Sequence, residues 1–224
     1  MNRLCAFTRC SPMIIGVLAL LLFSRPVKAE MYVAGQIGAH LPHDASNVTW
    51  GGVGDQVGGS DLALQNSLIY GAKLGYYFDQ VKLGRFSLGV ETEVFNATPH
   101  LKQQGATRGG ITSTLSGLTN RVLTWAPAVV LVRYQAGAFE PYAGVGVGLF
   151  FSNLATGNYS DTRTHVGLNT QVGIRYRVNQ NLSLFTEWKY NHANIEHLNI
   201  AGSALSLSYD YNVHIVAGGI GYHF

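Results

Sequence analysis

The sequence predicts an all-β protein, an eight-stranded antiparallel, up-and-down β-barrel that crosses a membrane. Three observations carry this. Apolar and polar residues alternate with a period of two along most of the chain. In the stretch Leu205 to Phe224, LSLSYDYNVHIVAGGIGYHF, the larger side chains Val216, Ile220, Tyr222 and Phe224 share one face, while Ala217, Gly219 and Gly221 share the other. Charged residues make up only 12% of the chain, beside 27 Gly and 12 Tyr, a balance that suits a thin wall between lipid and a crowded interior. Long and short connections alternate, as they do when one barrel end faces the cell exterior and the other the periplasm. An apolar strand left at a sheet edge would be adhesive in water, and closing the sheet on itself removes the edge.

Residues 1–29 read as a cleaved signal peptide and residues 30–224 as the barrel domain. Arg3 and Arg9 give a basic start, Met13 to Phe23 an apolar run, and Val27-Lys28-Ala29 a small-x-small cleavage pattern. The apolar run falls short of the ~20 residues a spanning helix needs. Without this segment the chain loses Arg3, Arg9, Arg25 and Lys28, which leaves 11 of its 15 basic residues against all 12 acidic ones. The pI of 8.9 for the whole chain is therefore no sign of a nucleic-acid partner, and none is expected. Cys5 and Cys10, the only cysteines, lie in the same segment, so the barrel domain can form no disulfide and no thiolate metal site.

The strands follow in order. The first, Met31 to Leu41, sets Val33, Ile37 and Leu41 against Gln36 and His40. Pro42 to Gln65 is rich in Gly, Asp and Ser and reads as a long surface loop. The second strand, Ser67 to Phe78, places Leu68, Tyr70, Leu74, Tyr76 and Phe78 outward and Lys73 inward. After a short turn, the third sends Phe86, Leu88, Val90 and Val94 outward, Glu91 and Glu93 inward. A second long loop covers 98–119. The fourth strand, Arg121 to Tyr134, points Val130, Val132 and Tyr134 out and Arg133 in, and Pro127 calls for a bulge or a rim position because it donates no ladder hydrogen bond. The fifth, Phe139 to Phe151, alternates Val145, Val147 and Leu149 with Gly144, Gly146 and Gly148. A loop over Asn153–Arg163 leads to the sixth, Thr164 to Val178, with Val172, Ile174 and Tyr176 opposite Gln171, Arg175 and Arg177. The seventh opposes Leu182, Leu184, Trp188 and Tyr190 to Ser183, Glu187, Lys189 and Asn191. In the eighth, Tyr209, Tyr211, Val213 and Ile215 run one residue out of phase with the end of the strand, which predicts a β-bulge near Ile215 with those four residues outward.

Aromatic residues test the arrangement independently. Tyr76, Phe78, Phe86, Tyr134, Phe139, Tyr176, Tyr222 and Phe224 all fall near a short turn or the end of the last strand, on the outward face. That is where an interfacial belt belongs. A soluble barrel with the same strand number would bury this apolar face and cover itself with glycine and charge.

Several stretches carry a resemblance: Met31-Tyr-Val-Ala-Gly-Gln-Ile-Gly, Glu140-Pro-Tyr-Ala-Gly-Val-Gly-Val-Gly, Thr186-Glu-Trp-Lys-Tyr, and the final Tyr-x-Phe. Together they resemble the small outer-membrane β-barrel family that includes the OmpA transmembrane domain and opacity-type surface proteins. The resemblance implies a bacterial outer-membrane location, lipid as surroundings and delivery by the barrel-assembly machinery, with Tyr222 and Phe224 as its insertion signal. It implies no particular activity, because the family mixes structural, adhesive and enzymatic members.

The best-defined constellation is the set of inward charges. Lys73, Arg133, Arg175, Arg177 and Lys189 face Glu91, Glu93, Glu140 and Glu187. An eight-stranded barrel is filled by side chains, so these are expected to pair as a structural ionic core. Lys73, Glu91, Glu187 and Lys189 should meet at one depth. The alternative is an ion path. Eight histidines are present, but none has metal-ligand spacing. His192-Ala193-Asn194 resembles the histidine-serine motif of outer-membrane lipid A deacylases, with Asn194 where the serine stands, so no local Ser/His/acid relay is expected. The reading is a non-enzymatic, monomeric outer-membrane barrel with a structural or surface-interaction role and no cofactor. A lipid A-modifying enzyme or a small channel is the alternative. An extracellular ligand, if one is bound, would sit on loops 42–65 and 98–119.

Overall fold

The computed structural model describes residues 30–44, 46–51, 56–58, 65–97, 104–108, 111–115, 119–156, 159–197 and 206–224. The signal-peptide reading lies outside the described residues. Twelve strands are present among those described: β1 (Glu30–Pro42), β2 (Ser46–Gly51), β3 (Gln56–Gly58), β4 (Ser67–Leu83), β5 (Phe86–Ala97), β6 (Gln104–Arg108), β7 (Ile111–Leu115), β8 (Thr119–Tyr134), β9 (Phe139–Thr156), β10 (Tyr159–Arg177), β11 (Leu182–His197) and β12 (Ser206–His223). Eight of them form the barrel in the order β1-β4-β5-β8-β9-β10-β11-β12, and β12 pairs back onto β1 to close it, with every pair antiparallel. Closure satisfies the edge backbone groups that lipid cannot.

Short turns mark the periplasmic end. Gly84 and Gly137 take positive φ there (65° and 69°), a region L side chains enter only with strain. The turn between β10 and β11 is an Asx turn, in which the Asn179 side-chain oxygen accepts from the amides of Asn181 at 2.9 Å and Leu182 at 2.8 Å. Just above these turns, the eight belt aromatics form four ring pairs: Tyr76 with Phe78, Phe86 with Tyr134, Phe139 with Tyr176 and Tyr222 with Phe224, at centroid distances of 5.0–5.1 Å. Trp125, Tyr70, Trp188 and Tyr190 mark the opposite rim, three of them holding polar partners: Trp125 donates to Thr92, Tyr70 accepts from Asn96, and Tyr190 donates to Asn212. Exposed Val, Leu and Ile side chains fill the band between. This is a lipid-facing wall.

The strands outgrow that band. β10 has 19 residues, about 60 Å of strand at ~3.3 Å per residue, whereas an apolar band is ~25 Å tall. Above Val166 its outward residues are Thr164, Thr162 and Ser160, so the upper wall stands in water. Three expectations change as a result. Asn153–Arg163 is no long loop, because β9 and β10 continue through it to Thr156 and from Tyr159. The bulge near Ile215 does not form: β12 pairs without interruption from Tyr222 to Val213 against β1 and from Tyr222 to Leu207 against β11. Tyr209, Tyr211, Val213 and Ile215 point inward and are buried, while His214, Asn212 and Asp210 point outward. Outside the bilayer the solvent is water, so the apolar face turns inward as in any soluble barrel. Third, the long connections carry strands of their own. β2 pairs with the upper part of β12 (Ser206 opposite Gly51) and β3 with β2, while β6 and β7 form a separate hairpin. The remainder of the 42–65 and 98–119 loops lies outside the described residues.

Pro127 sits at a bulge. Register shifts between Trp125 and Ala128 against β9, and between Glu91 and Glu93 against β5. The missing amide is absorbed where the ladder is already broken.

Candidate functional site

The barrel interior is built in layers. At the periplasmic mouth Arg133 pairs with Glu140 at 3.2 Å and with Glu30 at 2.9 Å. Arg177 contacts Glu30 and lies 3.2 Å from Glu140. Sequence reading did not count Glu30, because a first strand residue at the rim carries no phase signal. With it, the inward groups balance: Lys73, Arg133, Arg175, Arg177 and Lys189 against Glu30, Glu91, Glu93, Glu140 and Glu187.

Above this layer Arg175 lies among three tyrosines. Its guanidinium carbon is 4.2 Å from the Tyr32 ring centre, 5.4 Å from that of Tyr142 and 5.7 Å from that of Tyr77. A planar, weakly hydrated cation suits aromatic faces. Glycines make the room. A Cβ on Gly75 would run into the Tyr32 ring, on Gly89 into Tyr77, on Gly173 into Tyr142 and on Gly219 into Phe185. The alternation of Gly with large residues is thus the shape of the lumen filling.

The central layer joins Lys73 and Lys189 to three carboxylates. Lys73 Nζ lies 2.7 Å from Glu187, 3.2 Å from Glu91 and 3.5 Å from Glu93. Lys189 Nζ lies 2.6 Å from Glu93 and 3.1 Å from Glu187. Neutral groups complete the coordination. The Gln171 side-chain oxygen accepts from Lys189 at 2.6 Å and its amide donates to Glu91 at 2.8 Å, Asn169 donates to Glu93 at 3.0 Å, and Tyr142 donates to Glu187 at 2.8 Å. Tyr32 donates to Glu91 from the layer below. The layer itself holds one more carboxylate than ammonium, and Arg175 supplies the balancing charge across Tyr32. Each of these ions is buried. Such burial is tolerable only with this degree of pairing.

An apolar layer closes the lumen above, with Ile69, Phe95, Val122, Phe150, Ile195 and Ile215 in one buried cluster. His192 points outward and its Nδ1 lies 2.8 Å from Asn212 Oδ1. Asn194 donates to Asp210. Tyr222 and Phe224 lie on the lipid face, and the Phe224 amide donates to the Met31 carbonyl at 3.0 Å. Among the described residues, no group of three or more His, Cys, Asp or Glu is placed to hold a metal ion.

One grouping escaped sequence reading. Ser152 of β9, Asp161 of β10 and His197 of β11 converge at the extracellular end. His197 Nε2 is 3.1 Å from Ser152 Oγ and its Nδ1 is 3.1 Å from Asp161 Oδ2. No spacing in the chain could signal it, because the three lie on different strands and Asp161 falls in the Asn153–Arg163 segment that reads as loop.

A closed barrel with an apolar band between aromatic belts and a paired ionic interior is a transmembrane β-barrel. The chain belongs to the outer membrane protein β-barrel family, whose model matches residues 15–224, and it resides in the bacterial outer membrane. No curated protein matches it. Among solved structures it is similar to the outer membrane protein OprG from Pseudomonas aeruginosa, with a TM-score of 0.61 at 16% identity, covering 88% of this chain and 96% of that one. Ail of Yersinia pestis aligns with a TM-score of 0.46 at 11% identity, over 88% of this chain and 98% of that one. The protease OmpT from Escherichia coli gives 0.48 at 8% identity, over 90% and 99%. The first likeness supports the fold alone.

Proposed function

We propose that the protein is a monomeric, non-conducting barrel with a structural and surface-interaction role, and that its charged core is a plug with no chemistry of its own. The observation that supports this is the equality of five buried or half-buried cations and five carboxylates, joined across the lumen by neutral side chains. A conducting path needs a continuous hydrated lumen, whereas the charges that span this one are buried and paired. Interaction with other molecules then falls to the upper wall and to loops 42–65 and 98–119. Residues 1–29 serve as the export signal. Tyr222 on β12 and Phe224 just after it, exposed and with their rings in contact, are what the barrel-assembly machinery would read. Planar-bilayer recording of the refolded protein tests the plug. Absence of stable unitary currents is expected. Steady currents whose selectivity changes in Lys73→Met would replace this reading with the channel. Phe224→Ala should lower the heat-modifiable, folded fraction in the outer membrane, and unchanged levels would remove the role of that side chain.

A further inference from the structure

We propose that Ser152, His197 and Asp161 form a nucleophilic relay at the extracellular mouth that cleaves a carboxylic ester with an apolar acyl group. This adds a chemical capability outside the ionic core and does not rest on the structural role given above.

The geometry sets the tautomer. Asp161 accepts from His197 Nδ1, so Nε2 carries the lone pair and faces the Ser152 hydroxyl. That is the protonation state in which a serine is activated. The register builds it: Ser152 lies opposite Arg163 on β10, and Asp161 is one pleat further out on the same face. Burial lowers the His197 imidazole below its ordinary value. Asp161 opposes that shift and Arg163 adds to it, so the base is free at neutral pH.

A second arrangement at the other mouth shows what a purely structural set looks like. His223 Nε2 is 2.8 Å from Ser183 Oγ, and its Nδ1 is 2.8 Å from Glu30. That Nδ1 is not aligned for a hydrogen bond, Glu30 is shared with Arg133 and Arg177, and the ring lies against Tyr32 at 5.4 Å. Both hydrogen bonds of the His197 set are formed, and it is this alignment that separates the two sets, since their carboxylates are similarly exposed, Asp161 at 17% and Glu30 at 22%. Ser152 and His197 are themselves buried, so Asp161 is the member of the set that solvent reaches, and a substrate would have to approach from its side. Beneath it lie Phe150 and Ile195 of the packed apolar layer, an environment that favours an apolar acyl group over a polar one. His165, with its ring centre 6.3 Å from that of His197, has a buried Nε2 without a hydrogen-bond partner.

The reaction balances without a cofactor. Ser152 Oγ bonds to the acyl carbon as its proton passes to His197 Nε2. The tetrahedral adduct collapses, the ester C–O bond breaks, and His197 protonates the leaving alkoxide. Water then attacks the acyl-serine, giving up a proton to His197, and the acid departs as the proton returns to Ser152.

The test uses the full refolded barrel in detergent micelles, its fold confirmed by gel mobility before and after heating. A fluorophosphonate probe should add once, at Ser152 by peptide mapping. Ser152→Ala should abolish labelling, His197→Gln should slow it by at least ~100-fold, and Ser183→Ala should leave it unchanged. Release of nitrophenol from p-nitrophenyl butyrate, measured beside release of fatty acid from phospholipid in the same micelles, separates a soluble ester from a membrane lipid as the source. A folded wild type that neither labels nor hydrolyses either ester overturns the proposal. So does equal labelling of Ser152→Ala, a variant small enough to fold.

Discussion

Replacing Lys73 by Met is the sharpest probe of the plugged interior. Met keeps the length of the side chain and removes three ion pairs, to Glu187, Glu91 and Glu93. Three carboxylates then face Lys189 alone, and Glu91 retains only Gln171 and Tyr32. Removing one partner of a buried pair costs about 3–5 kcal/mol. Replacing Glu187 by Gln works in the opposite direction. It preserves an oxygen for Tyr142 and Lys73 and leaves two carboxylates against two ammonium groups, while Arg175 loses its distant counter-charge but keeps the faces of its three tyrosines. Its cost is that of a weakened charge-assisted hydrogen bond, ~1.5–3 kcal/mol at most. Cations should therefore be dearer to remove here than Glu187. The two changes combined should cost less than their sum, with a coupling of ~0.5–3 kcal/mol, because the groups touch. Urea-unfolding midpoints in lipid vesicles read all three variants. Equal, small shifts for Lys73→Met and Glu187→Gln would refute the claim that the layer is dry and paired, since hydrated charges would be indifferent to which sign is lost.

Other outcomes follow from the same geometry. Val172→Arg or Leu184→Arg, on the lipid face, should destabilise the barrel by about 2–4 kcal/mol, measured by the same unfolding assay, whereas Thr162→Arg on the outer face above the bilayer should be nearly neutral. Gly75→Val should displace Tyr32 and disturb both Glu91 and Arg175. Near-ultraviolet circular dichroism should report the lost ring packing. His197 should titrate below its ordinary ~6.5 in an NMR pH series. Because Asp161 raises its pKa, Asp161→Asn should move it lower still. A neutral folded histidine that protonates on unfolding makes stability fall as pH drops through that ordinary value. A His197→Gln barrel should lose this part of the pH dependence.

Much of the fold was legible in the chain because lipid imposes a strict rule. Within the bilayer outward residues are apolar or, like Thr186, bond their hydroxyl to the backbone, so charged and amide side chains are driven inward. Val172 and Gln171, or Leu184 and Ser183, could therefore be assigned to faces from parity alone, and the belt aromatics fixed the periplasmic rim. The same rule misled where the bilayer ends. Tyr209 to Ile215 are apolar, and apolar means outward only against lipid. Above the membrane the wall meets water, so the identical pattern turns inward and no bulge is required. Strand count, lipid phase and the inward charges followed from the sequence by itself. Tertiary structure alone decided how those charges divide into a rim layer with Glu30 and a central layer with Glu93, because neighbouring positions in the lumen come from strands far apart in the chain. It alone brought Ser152, Asp161 and His197 within hydrogen-bond reach. Three residues on three strands meet only when the cross-strand register and the height of the wall above the bilayer are fixed, and neither is written in local periodicity.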